Sequence, residues 1–503
     1  MPSTSPSRPS RGAGISRSAL AVAVTWAVGA VAYLVAITNR TSLSALGIDT
    51  AHHFSIDPAT LSLFAVIQLG VYGVAQIPVG MALDRYGSKA VLTVGLGLMA
   101  LSQIALALAP SVWIAIAARV LLGAGDAAVF PCVLRIIGIR FPRRVAPLMV
   151  QVTAMIGQAG QIVSIVPFTH LVHSLGWQPG FLLLAATCVL MAVLAVVLVS
   201  DGHSAPTARS ATDSTATDGD GDITRDASDE QPGTLARLRE SLAEPGTRLA
   251  FWTHAVSPFS TNMFGVLWGF PFLVTAENLV SGTAQMVLIT SVIIGVAAGP
   301  VVGVFSARFA PYRVHLVLVL VAGQLIVWSV VLAFSGPAPT WLLYVLAIAI
   351  GAGGPASVLA FDFARDHNPV YRLSTATGVV NAGGFFASVV VILLIGLTLG
   401  IMSGGQTGAD AYDLTSFRVA MAWQIPFWLL GATMVWREYR KTLGNDAESA
   451  PALTEVDVPD TPVIDSPAPD SPAPDSPVTD SSVSGTREPE SPVPCGARTP
   501  DHH

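Results

Sequence analysis

Residues 119–131 read RVLLGAGDAAVFP, which places Arg119 and Asp126 in a stretch otherwise apolar enough to lie inside a membrane. A charge at bilayer depth costs about 2.5–3.5 kcal/mol on insertion scales, so such residues are kept for ion pathways, proton relays or ligand contacts. On a helix, seven residues return to within about 20° of the same face, two turns and roughly 10 Å along the axis. Arg119 and Asp126 therefore share one stripe, with Gly123 and Gly125 keeping the helix slim between them. Two charges on one face call for a water-filled interior and for chemistry with an anion and a proton, or else for a static ion pair between them.

The rest of the chain supplies the helices that must hold these residues. Of 503 residues, 52% are hydrophobic and 12% charged, about half the charge of a soluble domain. Apolar runs recur at 19–48, 60–82, 89–109, 112–139, 146–172, 179–199, 249–276, 284–306, 314–334, 340–363, 373–398 and 417–437. Twelve runs of this length predict an all-α polytopic membrane protein with both ends on one side. Arg85, Lys89, Arg140, Arg143, Arg144, Arg308, Arg313, Arg365, Arg372, Arg437, Arg440 and Lys441 fall at alternate connections, whereas the opposite connections carry Arg418. By the positive-inside rule both termini are expected to be cytoplasmic. The run from Ala19 is too long for a signal peptide and reads as an uncleaved first span.

The net charge of −6 is unevenly spread: from Gly444 onward twelve acidic residues face Arg487 and Arg498, which leaves the remainder near +4. The basic residues are dispersed among loops, so nothing points to a nucleic-acid partner and none is expected. Cys132, Cys188 and Cys495 have no metal or redox spacing. No catalytic cluster and no cofactor motif appears, so the reading is not an enzyme.

Five segments follow: an N-terminal tail 1–18, a six-helix half 19–200, a polar linker 201–248, a second half 249–441, and an acidic Pro-rich tail 442–503. The linker is rich in Ser, Thr, Asp and Gly and reads as disordered, ending in TLARLRESLAEP, whose leucines at 235, 238 and 242 suit a short amphipathic helix. The tail repeats DSPAPDSPAPDSPVTD, a solvated extension without a core. The halves repeat one another. QIPVGMALDRYGSKAVL after span 2 matches GPVVGVFSARFAPYRVHL after span 8, and Leu122-Gly123-Ala124-Gly125 matches Ile350-Gly351-Ala352-Gly353.

GMALDRYGSKAVL, residues 80–92, resembles the loop 2–3 signature of the major facilitator superfamily, glycine-x-x-x-Asp-Arg-x-Gly-x-Lys. The resemblance covers about residues 19–441 and implies two six-helix halves that expose a central site alternately to each side. It implies a gating role for Gly80, Asp84, Arg85, Gly87 and Lys89, with Asp84 in a latch between the halves; Ala307 and Ala310 replace Asp84 and Gly87 in the second copy.

The pattern Arg119-x-x-x-Gly123-x-x-Asp126-x-x-x-x-Pro131 is similar to the anion:cation symporter branch, in which an arginine is followed at this distance by a protonatable acid. In ITNRTSLSALGI, Arg40 stands at that branch's substrate-binding arginine, and Asn39 replaces its paired acid. The resemblance thus implies proton-coupled transport of a small carboxylate or sugar acid. Arg40 and Arg119 would clamp the anion with planar donor forks, and Asp126 would couple it to protons. Gln68, Tyr72, Gln158, Gln161, Asn262 and Asn381 lie on expected interior faces, as substrate contacts or as ties between helices. His254 reads as a packing residue, Asp362 with Arg365 as a surface pair or gate, and tryptophans near span ends as an interface belt.

The alternatives are narrower. Drug or metabolite efflux by proton antiport is carried in this superfamily by glycine-x-x-x-Gly-Pro-x-x-Gly-Gly in span 5; span 5 here reads MIGQAGQIVS, and most of the pattern sits at Gly295–Gly303 in span 8. Nitrate transport would need arginines inside spans 2 and 8, and a non-transporting sensor would not need the charges of span 4. The expected partners are a small-molecule substrate, protons and the lipid bilayer, with the chain working as a monomer in a bacterial cytoplasmic membrane.

Overall fold

A computed structural model describes residues 17–142, 144–200, 234–404, 406 and 412–449. The N-terminal tail, most of the polar linker and the acidic tail from Ala450 lie outside the described residues. The described regular structure is all helical, and twelve helices are long and apolar enough to cross a membrane. They are span 1 (Leu20–Arg40), span 2 (Pro58–Leu83), span 3 (Arg85–Ala107), span 4 (Val112–Arg140), span 5 (Leu148–Leu175), span 6 (Trp177–Leu198), span 7 (Pro245–Ala276), span 8 (Ser281–Arg308), span 9 (Ala310–Ala333), span 10 (Thr340–His367), span 11 (Thr375–Met402) and span 12 (Leu414–Gly444). The chain is a multi-pass membrane protein.

Local chemistry sets the ends. Span 1 stops at Arg40, short of the 48 expected from hydropathy, because the chain turns over Thr41–Leu46 before a separate helix, Gly47–Phe54. Asp57 caps span 2 by accepting the Thr60 N–H at 3.2 Å, with Pro58 in the first turn. Spans 2 and 3 meet at Gly87, whose φ of 79° suits glycine and reverses the chain within a few residues. A separate helix, Thr234–Ala243, precedes span 7. Span 7 breaks at Ser257–Pro258, and span 10 tightens to a 3₁₀ turn over Gly354–Val358, where Pro355 follows Gly353 and Gly354.

Packing repeats between the halves as the sequence does. A β-carbon on Gly123 of span 4 would stand 2.4 Å from the Gln68 carbonyl oxygen of span 2. One on Gly351 of span 10 would stand 2.3 Å from that of Ser291 in span 8. Gly125 faces Gly95 of span 3 in the same way, and Gly353 faces Gln324 of span 9. Backbones this close explain why the glycine pairs recur, since membrane helices associate through small residues at their crossings. Gly123→Val is expected to force spans 2 and 4 apart at an overpacking cost of about 1–3 kcal/mol. A lower melting temperature of the purified variant checks this.

One end of the bundle carries Arg85, Arg140, Arg308, Arg372 and Arg440. At the opposite end the halves touch: Gly396 of span 11 lies against Ser62 and Pro58, Gly400 against Ala59 and Asp57, and Gly47 against Pro271 of span 7. Halfway along, Gly73 meets Phe385. Further toward the basic end the same face of span 2 shows Ile77 at 70% and Met81 at 64% exposure. A β-carbon on Gly80, or on Gly378 of span 11, would meet nothing within 4 Å. Spans 2 and 11 therefore part toward the basic end.

Candidate functional site

Arg40 and Asp126 form the centre of the site. The guanidinium donates from Nε to Oδ2 at 2.6 Å and from Nη2 to Oδ1 at 3.0 Å, so the fork meets the carboxylate edge to edge. Asp126 is 1% exposed and Arg40 16%. Arg40 stands at the last turn of span 1, where a cation also meets the negative end of the helix dipole. Its guanidinium carbon lies 4.5 Å from the centre of the Tyr72 ring, and its carbonyl accepts from Gln68 Nε2 at 3.0 Å. One wall of the cluster is thus built by spans 1, 2 and 4.

Arg119 is the unusual member. It is 1% exposed, two turns from Asp126, and its hydrogen bond is to Gln68 Oε1 at 3.4 Å through Nη1. Among the described residues its Nε and Nη2 have no hydrogen-bond partner, and the Phe64 ring lies 5.9 Å from the guanidinium carbon. The alternative of a static Arg119–Asp126 pair is excluded by this arrangement. The two residues share a face, but Arg40 takes both oxygens of Asp126 while Arg119 turns to Gln68. Gln68 ties the arginines together by donating to the main chain of one and accepting from the side chain of the other.

Asn39 faces away from this cluster. It donates to the Val35 carbonyl at 2.7 Å and accepts from Gln103 Nε2 at 2.8 Å. Gln103 was not anticipated; a buried amide in the apolar run ALSQIALA was its one signal.

The second half closes the site from across the gap. Phe385 packs on Tyr72 with centroids 4.7 Å apart. Gln161 of span 5 donates to the Gly265 carbonyl of span 7 at 3.4 Å, a direct bond between halves. Gln158, one turn earlier, is exposed. Asn262 donates to Ser388 Oγ at 2.9 Å, tying spans 7 and 11. Asn381 hydrogen-bonds His254, whose Nδ1 meets the Ser357 carbonyl at 3.2 Å and whose ring abuts Phe361. His254 is a satisfied packing residue. Arg40, Asp126, Gln68, Arg119 and Tyr72 thus meet in one cluster, Gln161 reaches across to the other half, and Asn262 and Asn381 bond within theirs. Phe385 was missed because an apolar residue in an apolar span carries no signal.

At the basic end Gly87 turns the chain, Gly80 faces open space, and Arg85 lies 5.3 Å from the Tyr86 ring centre. Arg135 of span 4 donates to the Leu83 carbonyl at 2.7 Å, fastening this turn to the helix that carries Asp126. Lys89 also has a partner; the Asp84 side chain lies outside the described residues. Asp362 pairs with Arg365 at 3.3 Å and accepts from Ser306 at 2.7 Å, joining spans 8 and 10.

Comparison with known proteins agrees with this architecture. A probable galactarate/D-glucarate transporter of Bacillus subtilis (strain 168), GudP, is 23% identical over 392 residues, 74% of this chain and 85% of its own. A probable galactarate/D-glucarate transporter of Escherichia coli (strain K12), GarP, is 24% identical over 413 residues, 76% and 88% respectively. Among solved structures, a bacterial homolog of the human lysosomal transporter Spinster, inward-facing and unoccupied, superposes with a TM-score of 0.64 at 16% identity, over 84% of this chain and 98% of that one. The nucleoside transporter NupG also gives 0.64, at 12% identity, over 83% and 100%. The family model of the Major Facilitator Superfamily matches residues 29–391. This chain, a multi-pass transporter of small molecules and not an enzyme, belongs to the Major Facilitator Superfamily.

Proposed function

We propose that the chain is a proton-coupled symporter of a small organic anion, a sugar acid of the galactarate or D-glucarate type. It works as a monomer in a bacterial cytoplasmic membrane, with both termini and the basic end cytoplasmic. The observation that carries this reading is Arg119, a buried guanidinium with two donors unpartnered among the described residues, beside an arginine already held by an acid. An anion that brings its own carboxylate satisfies Arg119. Protonation of Asp126 removes the charge that holds Arg40 and turns that second fork toward the substrate. Proton and anion then load together, and neither leaves a bare charge at bilayer depth.

In this reading Gln68, Tyr72, Gln158, Gln161, Asn262 and Asn381 contact the substrate's hydroxyls. The described arrangement, parted toward the basic end, faces inward, and Gly80, Asp84, Arg85, Gly87 and Lys89 form the latch that closes that end in the outward-facing state. The likeness to the two probable galactarate/D-glucarate transporters supports the substrate class.

Reconstituted protein given an acid-outside gradient is expected to accumulate galactarate or D-glucarate several-fold over vesicles without the gradient. A melting-temperature screen with carboxylates, sugar acids, nitrate and bulky organic cations gives an independent check, because a ligand of the native state raises stability by mass action. Stabilisation by bulky cations alone would overturn the reading in favour of efflux.

A further inference from the structure

We propose that the groove between the basic ends of spans 8 and 9 is a binding site for an anionic phospholipid. It has a volume of about 380 Å³ and is lined by Phe305, Phe309, Tyr312, His315, Leu316 and Val319. Phe309, Tyr312 and Val319 are 43%, 59% and 67% exposed. The lining is graded. Leu316 and Val319 continue into span 9 toward mid-membrane, while Tyr312 and His315 stand at the polar end.

The charge around this groove is what selects the occupant. At the basic end of the second half some basic side chains hold a carboxylate, and others, Arg437 among them, have none among the described residues. Arg248, Arg313, Arg365, Arg372 and Lys441 each hold a carboxylate, at 2.9, 2.7, 3.3, 3.1 and 2.6 Å. Arg308 and Arg440 have no carboxylate among the described residues. Arg308 rests 6.0 Å from the Phe309 ring centre, and Arg440 rests 5.9 Å from that of Trp436. His315 joins the two sides, since its ring lies about 6 Å from those of Tyr312, Trp436 and Tyr439.

An unpaired guanidinium parked on an exposed aromatic face is weakly held and keeps its donor fork for a better acceptor. A phosphodiester is such an acceptor, and at this depth the available one belongs to a headgroup. An acyl chain fits the lower part of the groove, against Leu316 and Val319, as the headgroup sits between Arg308 and Arg440. A second groove, between spans 3 and 6, serves as an internal contrast. It is larger, about 470 Å³, and is lined by small and aliphatic residues such as Leu101, Ile104 and Val193, without the aromatic rings and the histidine that line the first. It can take acyl chains but has nothing to select a headgroup.

The test uses the delipidated full chain in detergent, titrated with phosphatidylglycerol or phosphatidylcholine. Lipid retention is followed by native mass spectrometry and stability by thermal melting. Phosphatidylglycerol is expected to be retained and to raise the melting temperature, and phosphatidylcholine is not. The double variant Arg308→Gln with Arg440→Gln is expected to bind phosphatidylglycerol roughly thirtyfold more weakly. Arg144→Gln, an exposed arginine at the basic end of the other half, is expected to bind as the unsubstituted protein does. Equal retention by the double variant, or an equal loss in Arg144→Gln, overturns the site. So does a full shift produced by glycerophosphoglycerol, the headgroup without chains. If the double variant fails to fold, the two single variants decide: each is expected to lose part of the shift, and a full shift in both overturns the proposal.

Discussion

Arg119→Gln is expected to abolish substrate accumulation and, in the same protein, to raise the melting temperature of the empty carrier. Both effects follow from one geometry. The guanidinium is 1% exposed and, among the described residues, meets a single neutral acceptor at 3.4 Å and leaves Nε and Nη2 unpaired. Unsatisfied buried donors cost about 1–3 kcal/mol, and the charge adds to that. Glutamine at this position removes the charge and keeps an amide that can still meet Gln68. The substrate, however, loses a bidentate contact to a charged group. At about 1.5–3 kcal/mol for each such bond, a loss of two corresponds to at least roughly a hundredfold in affinity. Proteoliposome uptake and thermal melting of the same preparation are the measurements. Uptake at the unsubstituted level would sink the assignment of Arg119, and a lower melting temperature without ligand would contradict the account of its burial.

Asp126→Asn is expected to separate transport from its driving force. Asparagine keeps the shape of the carboxylate but offers one acceptor oxygen, so the two-bond contact at 2.6 and 3.0 Å is lost. Removing one partner of a buried ion pair typically costs 3–5 kcal/mol. The empty variant is therefore expected to melt earlier, and an arriving carboxylate, which replaces the missing charge beside Arg40, is expected to restore much of the loss. Exchange of labelled for unlabelled substrate should persist, while accumulation driven by an acid-outside gradient falls at least about tenfold. Binding affinity should also lose its dependence on pH. Retained gradient-driven accumulation in this variant would place the coupling proton elsewhere.

Much of this was legible before any coordinates. Twelve apolar runs and a repeat about 225 residues apart specify the helices, and Gly123 and Gly351 recur because each must let a carbonyl of a neighbouring span approach. Arg40, Arg119 and Asp126 stood out because charge at bilayer depth is costly without a use. The pairing among them was not legible. Periodicity puts Arg119 and Asp126 on one face, but the carboxylate's partner depends on where span 1 ends, and hydropathy ran that helix on to residue 48. The roles of the neutral polar residues were equally open. Gln68, Gln161 and Asn262 look alike as amides in apolar helices, yet one joins two arginines, one bridges the halves, and one ties neighbours within a half.

The contact that closes the end opposite the arginines has a consequence for how readily the carrier turns over. Gly396 against Ser62 and Gly400 against Ala59 bring two helices together through side chains of almost no apolar area. Around them, buried Leu61, Phe64, Ile392, Ile395 and Leu399 belong to one apolar core, so parting this end exposes hydrocarbon at a cost of about 25 cal/mol per Å². A ligand with a few kcal/mol of preference for the other access state offsets that cost and tips the balance. A bulkier seam would hold the end shut more firmly and make a slower pump.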